Sequence, residues 1–431
     1  MAPELSLEQE SEIIRLSNII SKTTRSLTQH LKDHGLPQPS FNTLPPAPST
    51  TPSEITTAKF TAINACMELL DHLQGPLTTM LPLYNGSSLQ AISRYSIATH
   101  VPMNNSISYN DLSQKCGIHV FELKQVIRFA IVFHRLFKEE KKGFVSHSVE
   151  SRILVEDEIV KAGIGQFDEF YGCFARTVDA MDQFKGHEPN ETGFSLSHNT
   201  TETLFEYLRS RPTKAKQFSE AMKFYTGPIP AYSPNYLIKG YPWAEVPAGA
   251  VVVDLGGSDG HVGRLIKKEN PGLRVTVQDL EGVIEEARAA AVSKTQPGCL
   301  GSEEEQVEYR AHDFFTPQPI IADIYLFRWV LHDWPDEYVI RILRQLIPAL
   351  KRGAKVVVNE SLCPESGSLP IAMERYIRYM DLMMLAINKS RLRDEEEWRG
   401  LFEEADERFG EIRCWVPEGS ALAVIEAIWE G

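Results

Sequence analysis

The sequence has little of what marks several protein classes. Its 431 residues include six cysteines with no C-x-x-C spacing, which predicts neither a zinc site nor a disulfide framework. No window approaches the ~18 apolar residues of a membrane helix, and the acidic N-terminus MAPELSLEQESE lacks the apolar segment of a secretory signal. We therefore expect an intracellular, cytoplasmic protein that needs no metal and binds no membrane.

Positive charge is also in short supply. Lysine and arginine number 44 against 58 aspartate and glutamate residues, which gives a net charge of −14. An acidic chain repels a phosphate backbone unless it carries a segregated basic patch, so we do not expect nucleic acid as a partner. The length exceeds the roughly 250–300 residues at which a single core stops growing, and this predicts two or three domains.

Four segments of the chain differ in pattern. Residues 1–54 combine an N-terminal helical pattern with a proline-rich linker. Residues 55–154 end in helix, turn, helix and short hairpin, the order of a winged helix. Residues 155–246 are mainly helical and are expected to form a bridge on the substrate side. In residues 247–431 apolar β-runs alternate with helical stretches, which predicts an α/β domain with a parallel sheet and helices on both faces.

A winged helix can serve to bind DNA, but the second helix here carries few basic side chains. Lys124, Arg128 and Arg135 are set among phenylalanine, isoleucine and valine, whereas a recognition helix is far more basic. A surface as apolar as this one is normally buried against another protein surface. We therefore expect the helices of residues 55–154 to be buried in a domain or subunit interface, and the protein to be a homodimer.

A glycine-rich turn follows the first strand of the α/β domain. In AVVVDLGGSDGHVG the strand ends at Asp254, and Gly256, Gly257 and Gly260 follow. Glycine lets backbone approach a ligand with no Cβ in the way. The next strand ends at Asp279, where a carboxylate can bind both hydroxyls of a ribose. Together the two signals predict a ligand of the adenosine type.

The spacing of the turn bears on which adenosine ligand binds. It is G-G-x-x-G-x-x-G, neither the dinucleotide pattern nor a P-loop. Asp254 and Asp259 also set negative charge where a pyrophosphate would need a helix N-terminus free of it. An acidic strand end suits the ammonium and sulfonium of S-adenosylmethionine. The alternative is a tight turn with a purely structural role.

The remaining strand ends add polar groups at the same edge of the sheet, where open α/β sheets bind ligands. Asp313 and Phe314 follow a presumed third strand, where a carboxylate and a ring could contact adenine. The fourth strand leads into Arg328, His332 and Asp333.

The fifth strand ends at Glu360. A carboxylate beside an imidazole can hold it in one tautomer and stabilise its cation. His332 is therefore a candidate general base with Glu360 as its partner. The alternatives are a structural histidine, and a glutamate that caps a helix or faces solvent.

Six stretches give the sequence a family resemblance. They resemble the S-adenosylmethionine-dependent O-methyltransferases of the plant caffeate/flavonoid type, and most closely the fungal enzymes that act on polyketides and other secondary metabolites. The stretches are HEPNETGFSLSH, GYPWAEVPAGAVVVDLGGSDGHVG, VQDL, HDFF, RWVLHDWPDE and VVVNESLCP. The resemblance implies a winged-helix dimerisation domain followed by a Rossmann-like methyltransferase domain.

The resemblance also implies roles for single residues. His332 would be the general base, Glu360 the carboxylate beside it and Asp333 a substrate contact. Met380, Asp381 and Met384 resemble the helix that lines the acceptor pocket, where thioethers suit a flat aromatic guest, although a core stripe is an even alternative. The expected cofactor-binding residues are Asp254, Gly256, Gly257, Gly260, Asp279, Leu280, Asp313, Phe314 and Arg328.

Two positions depart from the family pattern. Ser258 stands where many relatives have a third glycine. Leu392 falls where a second carboxylate usually flanks the base. Either the alignment slips and Glu395 or Asp394 is that carboxylate, or this chain lacks the group.

The function expected from these observations is transfer of a methyl group from S-adenosylmethionine to a hydroxyl, taken to be phenolic, of a small-molecule acceptor, without a metal. A first alternative is a pericyclase on the same scaffold, which would keep the bound sulfonium as a fixed positive charge. A silent binding or regulatory protein and a DNA-binding regulator are the others. The mass of the product distinguishes a methyltransferase from a pericyclase.

Overall fold

The computed structural model describes residues 11–42, 51–81, 85–226, 230–293 and 307–431. Contacts divide the chain into two compact units, Met1–Asp168 with Pro364–Tyr376, and Glu169–Cys363 with Ile377–Gly431. The predicted segment boundaries at 54/55, 154/155 and 246/247 stay predictions. The five cysteines within the described ranges are free thiols, and Cys299 lies outside them.

The first unit is mainly helical. Its two short strands, β1 (Ile107–Ser108) and β2 (Phe144–Val145), pair in antiparallel fashion. Helix α2 is kinked at Gly75, which has a φ of +69°. The helices are α1 (Glu12–Asp33), α2 (Ser53–Thr79), α3 (Ser87–Arg94), α4 (Ile97–His100), α5 (Tyr109–Cys116), α6 (Val120–His134) and α7 (Val149–Glu156).

Helices α5 and α6 lie between the two paired strands in the chain, because β1 precedes α5 and β2 follows α6. An antiparallel bridge between Lys138 and Ser146 forms a short hairpin after α6.

The Ser108 hydroxyl caps α5 by accepting a hydrogen bond from the backbone N–H of Asp111 at 3.1 Å. Gly117 ends α5 in the left-handed region, at a φ of +69°. Leu123 and Ile127 on the inner face of α6 are fully buried, so this helix belongs to the core of the unit.

The second unit contains an α/β sheet and the helices around it. Helices α8 (Glu158–Gln183) and α16 (Ile371–Asn388) each begin in the first unit and end in this one. The other helices are α9 (Gly193–His198), α10 (Leu204–Arg209), α11 (Pro212–Thr226), α12 (Asn235–Gly240), α13 (His261–Glu269), α14 (Glu281–Ser293), α15 (Asp336–Leu346) and α17 (Glu395–Ala405). The strands are β3 (Val251–Leu255), β4 (Arg274–Asp279), β5 (Glu308–Ala311), β6 (Ala322–Arg328), β7 (Leu350–Glu360), β8 (Phe409–Trp415) and β9 (Ala423–Trp429).

The sheet has the order β5-β4-β3-β6-β7-β9-β8. Strands β3 to β7 are parallel, as predicted, and the strand order reverses beside β3, where open α/β sheets bind ligands. The sheet also has an antiparallel part that the sequence did not predict, because β9 pairs antiparallel with both β7 and β8. This extra strand places Ala423 beside Glu360, so the end of β7 is covered rather than exposed.

Both faces of the sheet are packed. Tyr325 and Phe327 of β6 belong to one apolar cluster, and their neighbours Ile324 and Leu326 belong to the cluster on the other face. Alternate side chains of a strand point to opposite faces, so a strand buried on both sides reads as a continuous apolar run. The central strands of the sheet are thus buried on both faces.

Burial predicts a sharp contrast between two leucines of the second unit. Leu343 in α15 is fully buried, whereas Leu382 in α16 is 52% exposed. Leu343→Ala should lower the free energy of unfolding by about 2–5 kcal/mol, through lost transfer energy and a cavity. Leu382→Ala, the matched control, should change it by less than about 1 kcal/mol. Urea unfolding of both variants tests this, and equal losses would contradict the assigned core.

Candidate active site

The glycine-rich turn joins β3 to α13 and has no room for side chains. Gly256 and Gly260 have φ angles of +68° and +78°. A Cβ at Gly256 would lie 2.7 Å from Cγ2 of Val330, and one at Gly260 would lie 2.8 Å from the ring of Tyr309. Ser258 also has a left-handed φ, of +51°, a region that favours glycine. The departure at Ser258 is therefore accommodated with backbone strain.

Asp279 connects the end of β4 to this turn. Its Oδ2 accepts a hydrogen bond from the backbone N–H of Ser258 at 2.9 Å, and its Oδ1 accepts one from Leu280 at 2.8 Å. The backbone N–H of His312 donates to the Asp279 carbonyl at 2.9 Å, which draws the loop after β5 to the same place. The carboxylate is therefore fixed beside the turn, with lone pairs left over for a ribose.

Asp254 lies beneath the turn. A Cβ at Gly257 would come within 2.8 Å of Asp254 Oδ2, and burial raises the pKa of this carboxyl to about 7. Within the described ranges Oδ2 has no hydrogen-bond partner. A glycine cradle with an unpartnered acidic oxygen below it fits a cationic nucleoside such as S-adenosylmethionine.

Asp313 and Phe314 follow β5, as predicted. The Asp313 Oδ1 accepts a hydrogen bond from the backbone N–H of Phe315 at 3.0 Å, which stabilises the loop. The ring of Phe314 meets Trp334 edge-on, with centroids 6.1 Å apart. A half-buried aromatic ring is thus held in the loop after β5.

Arg328 has partners that the sequence did not suggest. Its guanidinium donates to the side-chain oxygen of Asn359 and to the backbone carbonyl of Tyr232. Asn359 in turn donates to the Ala423 carbonyl at 2.8 Å. Burial lowers the pKa of Arg328 to about 10. Part of its hydrogen-bonding capacity therefore links β6, β7 and β9, whereas its contact with a cofactor stays a prediction.

His332 lies just beyond β6, in a short 3₁₀ turn over Leu331–Asp333. The side chain is nearly buried, with Nδ1 3.9 Å from Glu360 Oε2 and Nε2 3.8 Å from Asp333 Oδ1. Its ring is nearly parallel to that of Trp329, at 17° and 6.2 Å between centroids. Trp329 has a φ of +53°, which is strained for a bulky residue. The imidazole thus lies between two carboxylates.

Glu360 is fully buried at the end of β7. Its Oε1 accepts hydrogen bonds from the backbone N–H groups of Val330, Leu331 and His332, at 3.1, 2.8 and 3.2 Å. Within the described ranges its Oε2, which is the oxygen nearer the imidazole, has no hydrogen-bond partner. Glu360 therefore caps the turn that carries His332 and also stands beside its ring.

The second carboxylate, Asp333, is held by a residue that the sequence analysis missed. Asn388, at the end of α16, donates to Asp333 Oδ1 at 2.9 Å. Burial raises the pKa of Asp333 to about 6, and the charge of Glu360 adds to the effect, although His332 opposes it. Asn388 ends the stretch MDLMMLAIN, so its place on the expected acceptor helix was the available signal.

The expected acceptor residues do not share one face of α16. Met384 and half-buried Met380 pack into an apolar cluster with Phe170, Phe194, Leu204 and Tyr207. Asp381 instead accepts a hydrogen bond from the backbone N–H of Leu392 at 2.8 Å. It also lines a separate groove of about 730 Å³ with Phe184 and Arg378. Met380 and Met384 therefore lie together, while Asp381 holds the segment after α16.

Comparison with known proteins decides the family. The sequence profile of the O-methyltransferase domain matches residues 179–407. The chain belongs to this O-methyltransferase family. It is an enzyme that uses S-adenosylmethionine, and the predicted family, Rossmann-like fold class and cofactor are confirmed.

Two relatives and one structure show how far the similarity extends. The Grayanic acid biosynthesis cluster O-methyltransferase of Cladonia grayi is 39% identical over 97% of this chain and 88% of that protein. The Chlorophenol O-methyltransferase of Trichoderma longibrachiatum is 32% identical over 98% and 91%. The crystal structure of OxaC in complex with SAH and oxaline has a TM-score of 0.72 at 22% identity, over 96% and 100% of the two chains.

The part of this methyltransferase that the structure describes contains neither a metal-binding cluster nor a membrane-spanning helix. No group of three or more His, Cys, Asp and Glu side chains there is arranged to hold a metal ion. Every helix in the described ranges is too short or too polar to span a lipid bilayer.

The methyltransferase has no carboxylate at position 392. Leu392 is buried, and its two candidate replacements have other partners. Asp394 caps α17 by accepting a hydrogen bond from the backbone N–H of Glu397 at 2.8 Å. Glu395 accepts one from Arg399 at 3.2 Å. Of the two alternatives left open by the sequence, the structure favours loss of the group.

Position 393 carries an arginine that the sequence analysis also missed. The Arg393 side chain is fully buried and donates to the backbone carbonyls of Leu331 and Trp334, at 3.3 and 2.7 Å. Its Nε donates to Asp336 Oδ1 at 2.8 Å. The turn that carries His332 is thus contacted by a guanidinium as well as by a carboxylate.

The turn geometry predicts the effect of a single methyl group at Gly256. Gly256→Ala combines an unfavourable φ with a clash, so it should lower the free energy of unfolding by about 1–3 kcal/mol and weaken S-adenosylmethionine binding. Gly400→Ala in α17, where a Cβ meets open space, is the control and should raise stability by up to about 1 kcal/mol. Calorimetry and urea unfolding test this. Unchanged affinity and stability in Gly256→Ala would argue against the cradle.

Proposed function

We propose that His332 is the general base of this methyltransferase and that the acceptor is a phenol of an aromatic secondary metabolite. The acceptor oxygen attacks the methyl carbon as its O–H proton passes to His332. A new O–CH₃ bond forms, the S–CH₃ bond breaks, and S-adenosylhomocysteine leaves. S-adenosylmethionine supplies the methyl group and the electrophilic sulfonium, so the protein has to position the reactants and accept one proton.

The position of His332 carries the proposal. It is a nearly buried imidazole at the carboxyl edge of the sheet, with Glu360 3.9 Å from Nδ1 and Asp333 3.8 Å from Nε2. Burial raises the pKa of Asp333 to about 6, so Glu360 is the stronger anion of the two. Glu360 therefore favours the tautomer with the proton on Nδ1, which leaves Nε2 free to accept another. The same charge stabilises the imidazolium that forms.

The cofactor is proposed to lie along the ends of β3, β4 and β5. The cofactor would approach the backbone closely where side chains are absent, at Gly256, Gly257 and Gly260. The carboxyl group of Asp254 would offset its positive charge. Asp279 would bind the ribose hydroxyls. Leu280, Asp313 and Phe314 would surround the adenine ring. Arg328 would act mainly by holding the strand ends around the site.

The acceptor is proposed to lie against α16. Met380 and Met384 offer polarisable thioethers to a flat ring, and Asp333 with its partner Asn388 offers polar atoms near His332. Two relatives support the substrate class, since one is named for chlorophenol and the other for a biosynthetic cluster. Asp381 is better explained as an anchor for Leu392 than as a substrate contact.

The first unit is proposed to dimerise the enzyme. Large apolar side chains stand exposed on two of its helices, namely Leu73 and Leu77 on α2 and Phe121, Val132 and Phe133 on α6. Exposed apolar patches of this kind mark interaction sites, and a second copy is the commonest partner. A cytoplasmic location is also proposed, in keeping with the free thiols of the described cysteines.

The proposed role of His332 as general base predicts how its replacement affects catalysis. His332→Ala should lower kcat on the order of 10²–10⁴, the usual contribution of a positioned general base, with little change in S-adenosylmethionine affinity. Glu360→Gln keeps an oxygen for the turn but removes the charge beside Nδ1, so its kcat should fall toward the same level. His34→Ala, at an exposed histidine that directly follows α1, is the control.

Mass spectrometry of the products provides the readout. Methyl transfer adds one CH₂ to the acceptor, whereas a pericyclic isomerisation leaves its mass unchanged. Normal turnover by His332→Ala would rule out the proposed base.

The dimer makes a separate prediction. Sedimentation at micromolar concentration should give twice the mass of one chain. Val132→Asp with Phe133→Asp should shift the equilibrium toward monomer, because each places a charge in the interface. Arg135→Asp, also near the end of α6, controls for charge alone. A monomeric wild-type chain would overturn the interface.

A further inference from the structure

The turn that carries His332 has its backbone polar groups divided between two buried charges. Glu360 Oε1 accepts hydrogen bonds from the backbone N–H groups of Val330, Leu331 and His332. Arg393 donates hydrogen bonds to backbone carbonyls on the other side of the turn, to Leu331 at 3.3 Å and to Trp334 at 2.7 Å. An anion on the donors and a cation on the acceptors together match the polarity of the turn.

Both charges are close to the segment that leaves the end of β7. Glu360 is the last residue of β7, and two residues further Leu362 forms a parallel bridge with Arg393. The backbone N–H of Cys363 donates to the Arg393 carbonyl at 2.9 Å. The backbone at Arg393 is therefore tied to the chain two to three residues after Glu360.

The guanidinium is itself held in one orientation. Its Nε donates to Asp336 Oδ1 at 2.8 Å, and its centre lies 5.3 Å from the ring of Trp398. The planar fork of arginine directs its N–H groups in fixed directions. Lysine at this position would keep the charge but could not reproduce three separated hydrogen bonds.

We propose that Arg393 is a positioning residue that fixes the catalytic turn and thereby His332, in concert with Glu360. This inference rests on the proposed role of His332 as base. The imidazole has no short hydrogen bond to either neighbouring carboxylate, since Glu360 Oε2 lies 3.9 Å from Nδ1 and Asp333 Oδ1 lies 3.8 Å from Nε2. Its position then depends on the backbone that Arg393 holds.

A double-mutant cycle tests whether Arg393 acts through His332. Arg393→Lys should lower kcat by about 10-fold to 10²-fold, with KM for the acceptor changed less and S-adenosylmethionine affinity changed less than threefold. Residues that act as one unit are not additive. The double variant Arg393→Lys/His332→Ala should therefore match His332→Ala within about threefold.

The control is Arg399→Lys. Arg399 lies on α17 close to Arg393 in the chain, is 42% exposed and pairs with Glu395. Its replacement should leave kcat, KM and cofactor affinity as they are in the wild type, in both backgrounds.

Asp336→Asn covers the case in which Arg393→Lys fails to bind S-adenosylmethionine. It keeps the guanidinium but removes the charge that orients it, so kcat should fall severalfold in the wild-type background and not at all in His332→Ala. Unchanged kcat in Asp336→Asn would then overturn the inference.

The outcomes separate the two proposals. If His332→Ala is impaired but the losses of the two substitutions multiply, Arg393 acts elsewhere and only this inference fails. If His332→Ala turns over normally, the general base fails, and with it any role for Arg393 in positioning that base.

Discussion

The active site depends on one buried carboxylate. Glu360 directs one oxygen to three consecutive backbone N–H groups and leaves the other near the His332 imidazole. A buried charge is tolerated only where hydrogen bonds replace its hydration, and this turn supplies them. Strand β9 makes the arrangement possible by covering the end of β7. The C-terminal antiparallel pair is therefore part of the active-site architecture, although it contributes no reacting group.

Two residues at the same edge of the sheet have a strained backbone. Ser258 in the cofactor turn and Trp329 before the catalytic turn both have left-handed φ angles, which cost free energy for residues other than glycine. Such strain persists where neighbouring contacts over-determine the backbone. Here Asp279 holds the N–H of Ser258, and Glu360 with Arg393 holds the residues after Trp329. The polar groups that shape the site thus also stabilise its unfavourable backbone.

Much of this arrangement was predictable from the sequence. Continuous apolar runs predicted the parallel strands, and the carboxyl ends of parallel strands lie at one edge of a sheet, so Asp279, His332 and Glu360 could all be assigned to that edge from the sequence. The antiparallel pair was missed because its strands follow the last motif and carry no site residue.

Arg393 could not have been found in this way. The stretch SRLRDEEEW reads as a solvated, charged surface, and the burial of its second arginine depends on carbonyls about sixty residues earlier in the chain. Asp381 and Arg328 show the same limit. Spacing can place a residue at an edge or on a helix, but it does not reveal which backbone group its side chain will satisfy.

The tautomer of His332 tests the account most directly. In protein labelled with ¹⁵N-histidine, the difference between wild type and His332→Ala identifies this imidazole among the twelve histidines. The account predicts a neutral ring with its proton on Nδ1, facing Glu360, and an unprotonated Nε2. It also predicts that Glu360→Gln reduces this preference. A ring protonated on Nε2 and insensitive to Glu360→Gln would contradict the proposed base and the role of the carboxylate beside it.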